Sequence, residues 1–437
     1  MAPIKGIPID GLPTEPARPH HAAAHAFAQA VAPNNRPPNL ELSAAAVARL
    51  VASASDMRPV SGLTHNHYKY PARFSPRFAR AAIETFTKPG DLVLDPFVGG
   101  GTTIVEALAS ARDVVGIDIS SLAVFVSEAK ALRLSGTEIA FFQAWVEDVA
   151  GVINIRAPAP PVSAWEEAGY LRNIESRSFW RLRKAIGQVL ASVTPLPANA
   201  EMLARCAVLR ASHWAFDARK RPPRLTEFKQ NLIASARAML IDACSFSEAY
   251  DAAAMAIGRD PLMICLERSA AGMELDERMD GIRAPRLVLT SPPYPGVHVL
   301  YHRWQVDGRK ETPAPFWIAN RLDGSGESYY TLGHRKNRGL RTYFDNLEST
   351  LASTAALADP ETVFVQVVAF GSPDWQLPRY IEAARAAGLS ERLLPDLDTP
   401  DGRLWRRVPG RRWYADQRGA IAAAHEVVLF FRLAEKV

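Results

Sequence analysis

Short apolar runs ending in polar, turn-forming residues alternate along this chain with stretches of helical period, a pattern that predicts an α/β fold. Leu92-Val93-Leu94 reads as a buried strand, and Asp95-Pro96-Phe97-Val98-Gly99-Gly100-Gly101 as the turn that opens a helix from Thr103 to Leu108. Asp113-Val114-Val115-Gly116-Ile117-Asp118 reads as a second strand ending in an acid. Leu287-Val288-Leu289 reads as a third, running into Thr290-Ser291-Pro292-Pro293-Tyr294. Ahead of the first strand the spacing predicts a helix over 42–54. Residues 1–38, rich in Pro and Ala and without period, read as a disordered leader. From 131 to 261 the strand pattern gives way to Ala, Leu and Arg at helical spacing.

The two loops carry candidate chemistry. Glycines 99–101 permit positive φ and close backbone approach, Thr102 or Thr103 is placed to cap the helix, and Asp95 stands at the carboxyl end of its strand, where α/β sheets bind ligands. Asp118 follows 23 positions later, the offset expected of a carboxylate that accepts hydrogen bonds from ribose hydroxyls. The loop lacks the G-x-G-x-x-G order and sets a carboxylate where a pyrophosphate is repelled and an amino group attracted. That favours S-adenosylmethionine over a dinucleotide. In the other loop Pro293 fixes its own φ, and each proline biases the residue before it toward extended backbone. The Ser291 hydroxyl and the nearby carbonyls are thus held with little entropy to lose on binding, and Tyr294 can stack on a base. An exocyclic amino group on a nucleobase is a poor nucleophile, because its lone pair is delocalised into the ring. A hydroxyl and a carbonyl accepting its hydrogens localise that pair for attack.

With these loops the chain resembles the amino-methylating DNA methyltransferases. Three stretches carry the resemblance: Lys69-Tyr70-Pro71-Ala72-Arg73-Phe74-Ser75-Pro76-Arg77-Phe78, the loop from Asp95 to Thr103, and Ser291 to Tyr294. The resemblance implies a Rossmann-like, seven-stranded, mostly parallel sheet with a reversed final strand and helices on both faces. Strands are then expected at 92–95, 114–118, 263–267, 287–290, 363–369, 392–394 and 426–433, with helices at 76–86, 103–110, 343–357 and 377–387. It assigns the cofactor to Tyr70, Phe74, Asp95, Pro96, Phe97, Gly99, Gly101, Thr102, Thr103 and Asp118, and catalysis to Ser291, Pro292, Pro293 and Tyr294. Where the family often has a Gly-Asp pair after the third strand, this chain has Ser269. The serine form of the catalytic loop goes with N4-cytosine methylation in this family, whereas adenine enzymes usually carry Asp or Asn there. Adenine remains the alternative base, and an RNA methyltransferase or a DNA-binding protein without catalysis the alternative functions.

Against that core, the helical stretch of 131–261 is an insertion. The chain divides into a leader (1–38), a cofactor-binding half (39–130), an inserted domain expected to recognise the target (131–261) and a catalytic half (262–437). Cations alternate with aromatics in 178–184 and 210–224, as a surface tracking phosphates and stacking bases requires; Arg219, Lys220 and Arg221 are its candidates. Residues 301–310, with Arg303, and 334–341, with Arg335, Lys336 and Arg338, read as mobile basic loops facing nucleic acid. Residues 403–414 read as a hairpin turning at Pro409-Gly410, whose Arg406, Arg407, Arg411 and Arg412 grip phosphates.

Composition narrows the picture. A net charge of +5 over 437 residues is modest, so phosphate binding has to come from these local patches. Three cysteines without a Cys-x-x-Cys pair point to a reducing cytoplasm, with nucleoid association through DNA, and argue against zinc. None follows a proline, unlike the cysteine nucleophile of the enzymes that methylate cytosine C5. No segment reaches the roughly 20 apolar residues of a membrane span. His20, His21 and His25 lie in the leader, which offers a metal no geometry. The expected partners are duplex DNA and, by the resemblance, a cognate restriction endonuclease.

Overall fold

The computed structural model describes residues 36–70, 75–158, 160–219, 221–296, 302–308, 310–323, 332–333, 340–407 and 425–435. The chain enters through helices α1 (Ala44–Ala54) and α2 (Pro76–Phe86). Ser43 caps α1 by accepting from the Ala46 amide, and Pro76 opens α2 at a position where its missing amide hydrogen costs nothing. Strand β1 (Leu92–Asp95), helix α3 (Thr102–Leu108), strand β2 (Asp113–Asp118) and helix α4 (Ser121–Lys130) follow. Five helices come next: α5 (Gly136–Val152), α6 (Ser163–Glu167), α7 (Trp180–Val193), α8 (Ala198–Phe216) and the 33-residue α9 (Leu225–Ile257). The chain then returns through β3 (Met263–Glu267), β4 (Leu287–Thr290), a hairpin of β5 (Trp304–Val306) and β6 (Lys310–Thr312), and α10 (Ala314–Ala319). It finishes with α11 (Arg341–Ala356), β7 (Val363–Val368), α12 (Pro373–Ala386), β8 (Leu389–Arg392), β9 (Leu404–Arg407) and β10 (His425–Leu433).

The main sheet runs β3-β2-β1-β4-β7-β10-β8. β3 through β7 pair parallel, and β10 is antiparallel to both β7 and β8. This is an α/β, Rossmann-like sheet with the reversed final strand that was expected. Alternate side chains of β1 serve opposite faces: Val93 packs with α1–α3, while Leu92 and Leu94 pack with α11 and α12. A strand covered on both sides has to be apolar throughout, which is why it reads as an unbroken run.

The structure departs from the sequence reading in four places. β9 is an eighth strand, pairing with the first half of β10 so that Arg407 faces His425 and Leu404 faces Val428. The expected turn at Pro409-Gly410 lies outside the described residues. The short strand expected at 392–394 is β8, three residues earlier, starting directly after Gly388 at φ 82°. Helix α3 is capped by Gly101 in the left-handed region, and neither Thr102 nor Thr103 supplies a side-chain cap. Most of the expected leader lies outside the described residues, but Pro38 and Leu40 bond through their backbones to Leu393, so the chain is anchored from there.

The segment 301–310 is also not the open basic loop its charge suggested. Its described residues build the β5–β6 hairpin, which turns at Asp307 and Gly308 with φ of 45° and 92°. Trp304, Val306 and Phe316 share one apolar core with α4, α5 and α7–α9, so the helical body is made of two separate stretches of chain.

Candidate functional site

β1 and β4 are neighbours, so the Asp95 loop and the Ser291 loop leave the sheet side by side. They are also joined. Thr290 donates to Asp95 Oδ1 at 2.6 Å, and the same oxygen accepts from the Phe97 amide at 3.1 Å. Asp95 is 1% exposed, and burial pushes its carboxyl up to about 6 against the hydrogen bonds that favour its charge. Asp118 ends β2, accepts from the Gly99 amide and the Ser120 amide at 2.9 Å each, and is likewise pushed up to about 6 by burial. It is only half-buried, and so remains open to a ligand.

The glycine turn needs its glycines. At Gly101, φ is 74° and an added Cβ would stand 2.9 Å from Ser127 Cα; at Gly100 it would stand 2.8 Å from Tyr70 Cβ. Below the turn, Lys130 donates to the Gly100 carbonyl at 2.7 Å and Ser127 to the Gly99 carbonyl at 3.3 Å. Thr102 and Thr103 are buried, and Thr103 joins α3 to β4 by donating to the Leu289 carbonyl at 3.5 Å. Pro96 is buried and Phe97 half-buried in this loop. Tyr70 packs on Gly99 and Gly100, with its hydroxyl 3.5 Å from His302 Nδ1. Phe74 lies outside the described residues. Ser269 is exposed, and its hydroxyl accepts from the Ala271 amide in the turn after β3.

The Ser291 hydroxyl donates to the Val367 carbonyl of β7 at 2.9 Å, which spends its one proton and leaves its lone pairs to accept. The Pro293 carbonyl is taken by the Tyr343 hydroxyl at 2.7 Å. Tyr294 is 5% exposed; its hydroxyl lies 3.3 Å from Ser291 Oγ and donates to Glu426 of β10.

Several polar residues that support the site carry no local signal in the sequence. The segment Thr64 to Tyr70 threads beneath the glycine turn. Thr64 donates to the Lys130 carbonyl, His65 Nε2 lies 2.6 Å from Glu106, Glu106 pairs with Arg80, and the Tyr68 hydroxyl accepts from Trp304 Nε1 at 2.9 Å. His302 Nδ1 lies 3.0 Å from Ser120 Oγ, and burial, followed by the Arg303 charge, pushes its imidazole down to about 3. It stands neutral between the turn after β2 and the helical body. Glu426 is equally silent, because only the β10 pairing brings it to Tyr294.

The basic candidates separate by burial. Arg303 is 7% exposed and paired with Asp323 at 2.6 Å; Arg406 is 5% exposed and 3.5 Å from Glu426. Neither is a surface phosphate contact as expected, because each charge is spent inside the protein. Arg219 lies over the Trp214 ring and donates to its carbonyl. Arg221 and Arg407 are exposed. Lys220, Arg335, Lys336, Arg338, Arg411 and Arg412 lie outside the described residues. In the insertion, Phe179 and Phe216 turn inward and meet at 5.6 Å, so much of the cation-aromatic alternation is the period of amphipathic helices. Cys206 is buried with its thiol pushed up to about 12, and all three cysteines are free. Among the described residues no group of three or more His, Cys, Asp or Glu is placed to hold a metal, and no helix is long and apolar enough to cross a membrane.

The family described as DNA methylase, of the N6 and N4 type, matches residues 49–128, which hold α2, the glycine turn and Asp118. The chain is 39% identical over 80 residues to the type II methyltransferase M.MvaI of Kocuria varians, covering 18% of each protein. It is 36% identical over 66 residues to the DNA adenine methyltransferase YhdJ of Escherichia coli (strain K12), covering 15% of this chain and 22% of that one. The matched region therefore spans less than a quarter of either relative. Among solved structures, the rRNA methyltransferase AviRa of Streptomyces viridochromogenes is matched at 12% identity with a TM-score of 0.33, over 85% of this chain and 90% of that one. The match to the DNA methylase family model thus ends within α4.

Proposed function

We propose that the protein is a site-specific DNA methyltransferase that moves the methyl group of S-adenosylmethionine to the N4 amino group of cytosine in duplex DNA. The observation that carries this reading is the Thr290–Asp95 contact, which fastens the Ser291 loop to the glycine turn. It sets an amino-group acceptor beside a nucleoside-binding loop, as direct transfer requires. The residues present suit the cofactor: two carboxylates end adjacent strands, and a turn free of side chains lies between them. Asp118 holds the ribose hydroxyls, and Asp95 with the glycine turn holds the methionine portion. Bound there, the cofactor supplies a sulfonium-activated methyl group.

The chain's own residues then act on the base. Cytosine leaves the stack and enters beside the Ser291 loop, at the cost of unpairing and unstacking. Ser291 Oγ, its proton committed to Val367, accepts one amino hydrogen, and the Pro292 carbonyl accepts the other. Tyr294 supports the ring face, which requires it to turn from its contact with Glu426. Held this way, the amino nitrogen would be oriented for in-line attack on the methyl group that the cofactor would supply, with the sulfide as leaving group, and the alkylated nitrogen would shed its proton to water or a carbonyl. The helical body carries target recognition, with exposed Arg221, Arg224 and Trp180 as its contacts. Adenine N6 is the second reading, favoured by the likeness to a DNA adenine methyltransferase over 66 residues. A restriction endonuclease acting on the same site is a candidate partner.

The test is incubation with mixed-sequence duplex DNA and isotopically labelled S-adenosylmethionine, followed by nucleoside mass spectrometry. Labelled N4-methylcytosine is the expected product. N6-methyladenine would overturn the base assignment, and a protein that binds the cofactor but labels no nucleoside of DNA would overturn the reading.

A further inference from the structure

Arg406 and Glu426 stand opposite each other on β9 and β10, next to the Ser291 loop; in methyl transfer Glu426 is the partner that Tyr294 leaves, and Arg406 has no part. Glu426 accepts from the Tyr294 hydroxyl through one oxygen, while its other oxygen lies 3.5 Å from Arg406 Nε. Arg406 is 5% exposed, yet among the described residues Nε and Nη1 of its guanidinium are buried without a hydrogen-bond partner. Donors taken out of water and left unmet are destabilising, and native proteins rarely keep two on one side chain without a use. The centroid of the Phe78 ring lies 6.0 Å from Arg406 Cζ, a contact with the guanidinium that leaves the donors themselves for an acceptor brought by a ligand. That acceptor is neutral, because Glu426 already balances the charge and would repel a phosphate. Ser291 Oγ lies 3.3 Å from the Tyr294 hydroxyl that reaches Glu426, so an amino-group acceptor and these buried donors flank one side chain.

We propose that Arg406 reads the flipped base by donating to the ring carbonyl at position 2 of cytosine while Ser291 holds the amino group. The inference rests on the methyl-transfer reading of the Ser291 loop. Cytosine carries an acceptor carbonyl on the edge that bears its amino group, and adenine has none. An adenine in the same place would leave the Arg406 donors unmet. The Tyr294 hydroxyl fills this space until a base enters, and the base takes its place against the pair as the ring turns to stack.

The test uses duplexes containing the methylated site, with the target cytosine either intact or replaced by the 2-aminopyridine C-nucleoside. That analogue keeps the amino group and ring nitrogen and lacks the carbonyl. Single-turnover methyl transfer is measured for the unaltered protein, Arg406→Met and Arg406→Lys. The unaltered protein is expected to lose roughly 10- to 100-fold on the analogue, the range of one hydrogen bond from a charged donor. Arg406→Met is expected to lose a similar factor on cytosine and little more on the analogue. Equal transfer to cytosine and analogue by the unaltered protein overturns the proposal, and that arm needs no variant to fold. So does an Arg406→Met protein whose rate still drops by the full factor on the analogue. Failure of the underlying reading is seen separately, as an unaltered protein that labels no cytosine.

Discussion

Asp95 and Asp118 end neighbouring strands, and burial pushes both carboxyls up to about 6. An acid with a raised folded pKa favours the fold in its protonated form. Its contribution to stability is present below the ordinary value of 3.8 and is lost as pH rises through about 6. Cofactor binding has the opposite sign, because both contacts require ionised carboxylates. On the proposed reading, affinity for S-adenosylmethionine is expected to be level above pH 7 and to fall below 6 by up to about tenfold per pH unit for each carboxylate, about a hundredfold for the two together. Asp118→Asn should weaken binding at pH 7.5 and flatten that slope. Calorimetric titration from pH 5 to 8 checks both, and a steep slope retained in the variant would remove Asp118 from the contact. Gly101→Ala tests the turn itself. A left-handed φ of 74° and a Cβ 2.9 Å from a backbone atom of α4 predict a loss of about 1–3 kcal/mol in urea denaturation. The same measurement should find little change at Gly151, where a Cβ meets nothing within 4 Å, beyond the gain of a better helix former.

Among the elements, the β5–β6 hairpin overturns the sequence reading most plainly. Charge density at 301–310 suggests nucleic acid, but Arg303 and Asp323 are both 5% exposed on their side chains and pair at 2.6 Å. Arg303→Ala would remove a buried charge partner of Asp323, and a loss of about 3–5 kcal/mol is expected. Denaturation that leaves stability unchanged would return Arg303 to the surface role. What is local is legible: β1, β2 and β4 are apolar runs, and the candidate site residues stand at or just after their ends, within a few positions of the periodicity that reveals them. What depends on distant pairing is not. Trp304 meets Tyr68 across 236 positions, and Glu426 meets Tyr294 across 132. The Asp307-Gly308 turn is a hairpin signal that the surrounding cations mask. Counting charges reveals an arginine's presence, and only the packing reveals whether its charge is already spent.

For the whole molecule, that distinction decides how DNA binding should respond to salt. A net charge of +5 gives little long-range attraction, so affinity depends on arginines free to displace counterions from phosphate. Arg221 and Arg407 are exposed, while Arg303 is committed to Asp323 and Arg406 lies buried against Glu426. Removing one phosphate-binding cation should lower the slope of log affinity against log salt by about 0.9. Arg221→Ala combined with Arg407→Ala is therefore expected to lower it by about 1.8. Arg406→Met should leave the slope unchanged, even where it slows transfer, because a base carbonyl releases no counterion. Fluorescence anisotropy with a labelled duplex across a sodium chloride series distinguishes the two classes. A slope that falls with Arg406→Met would place that side chain on phosphate despite its burial. An unchanged slope in the double variant would move the DNA-binding face away from the helical body and β9.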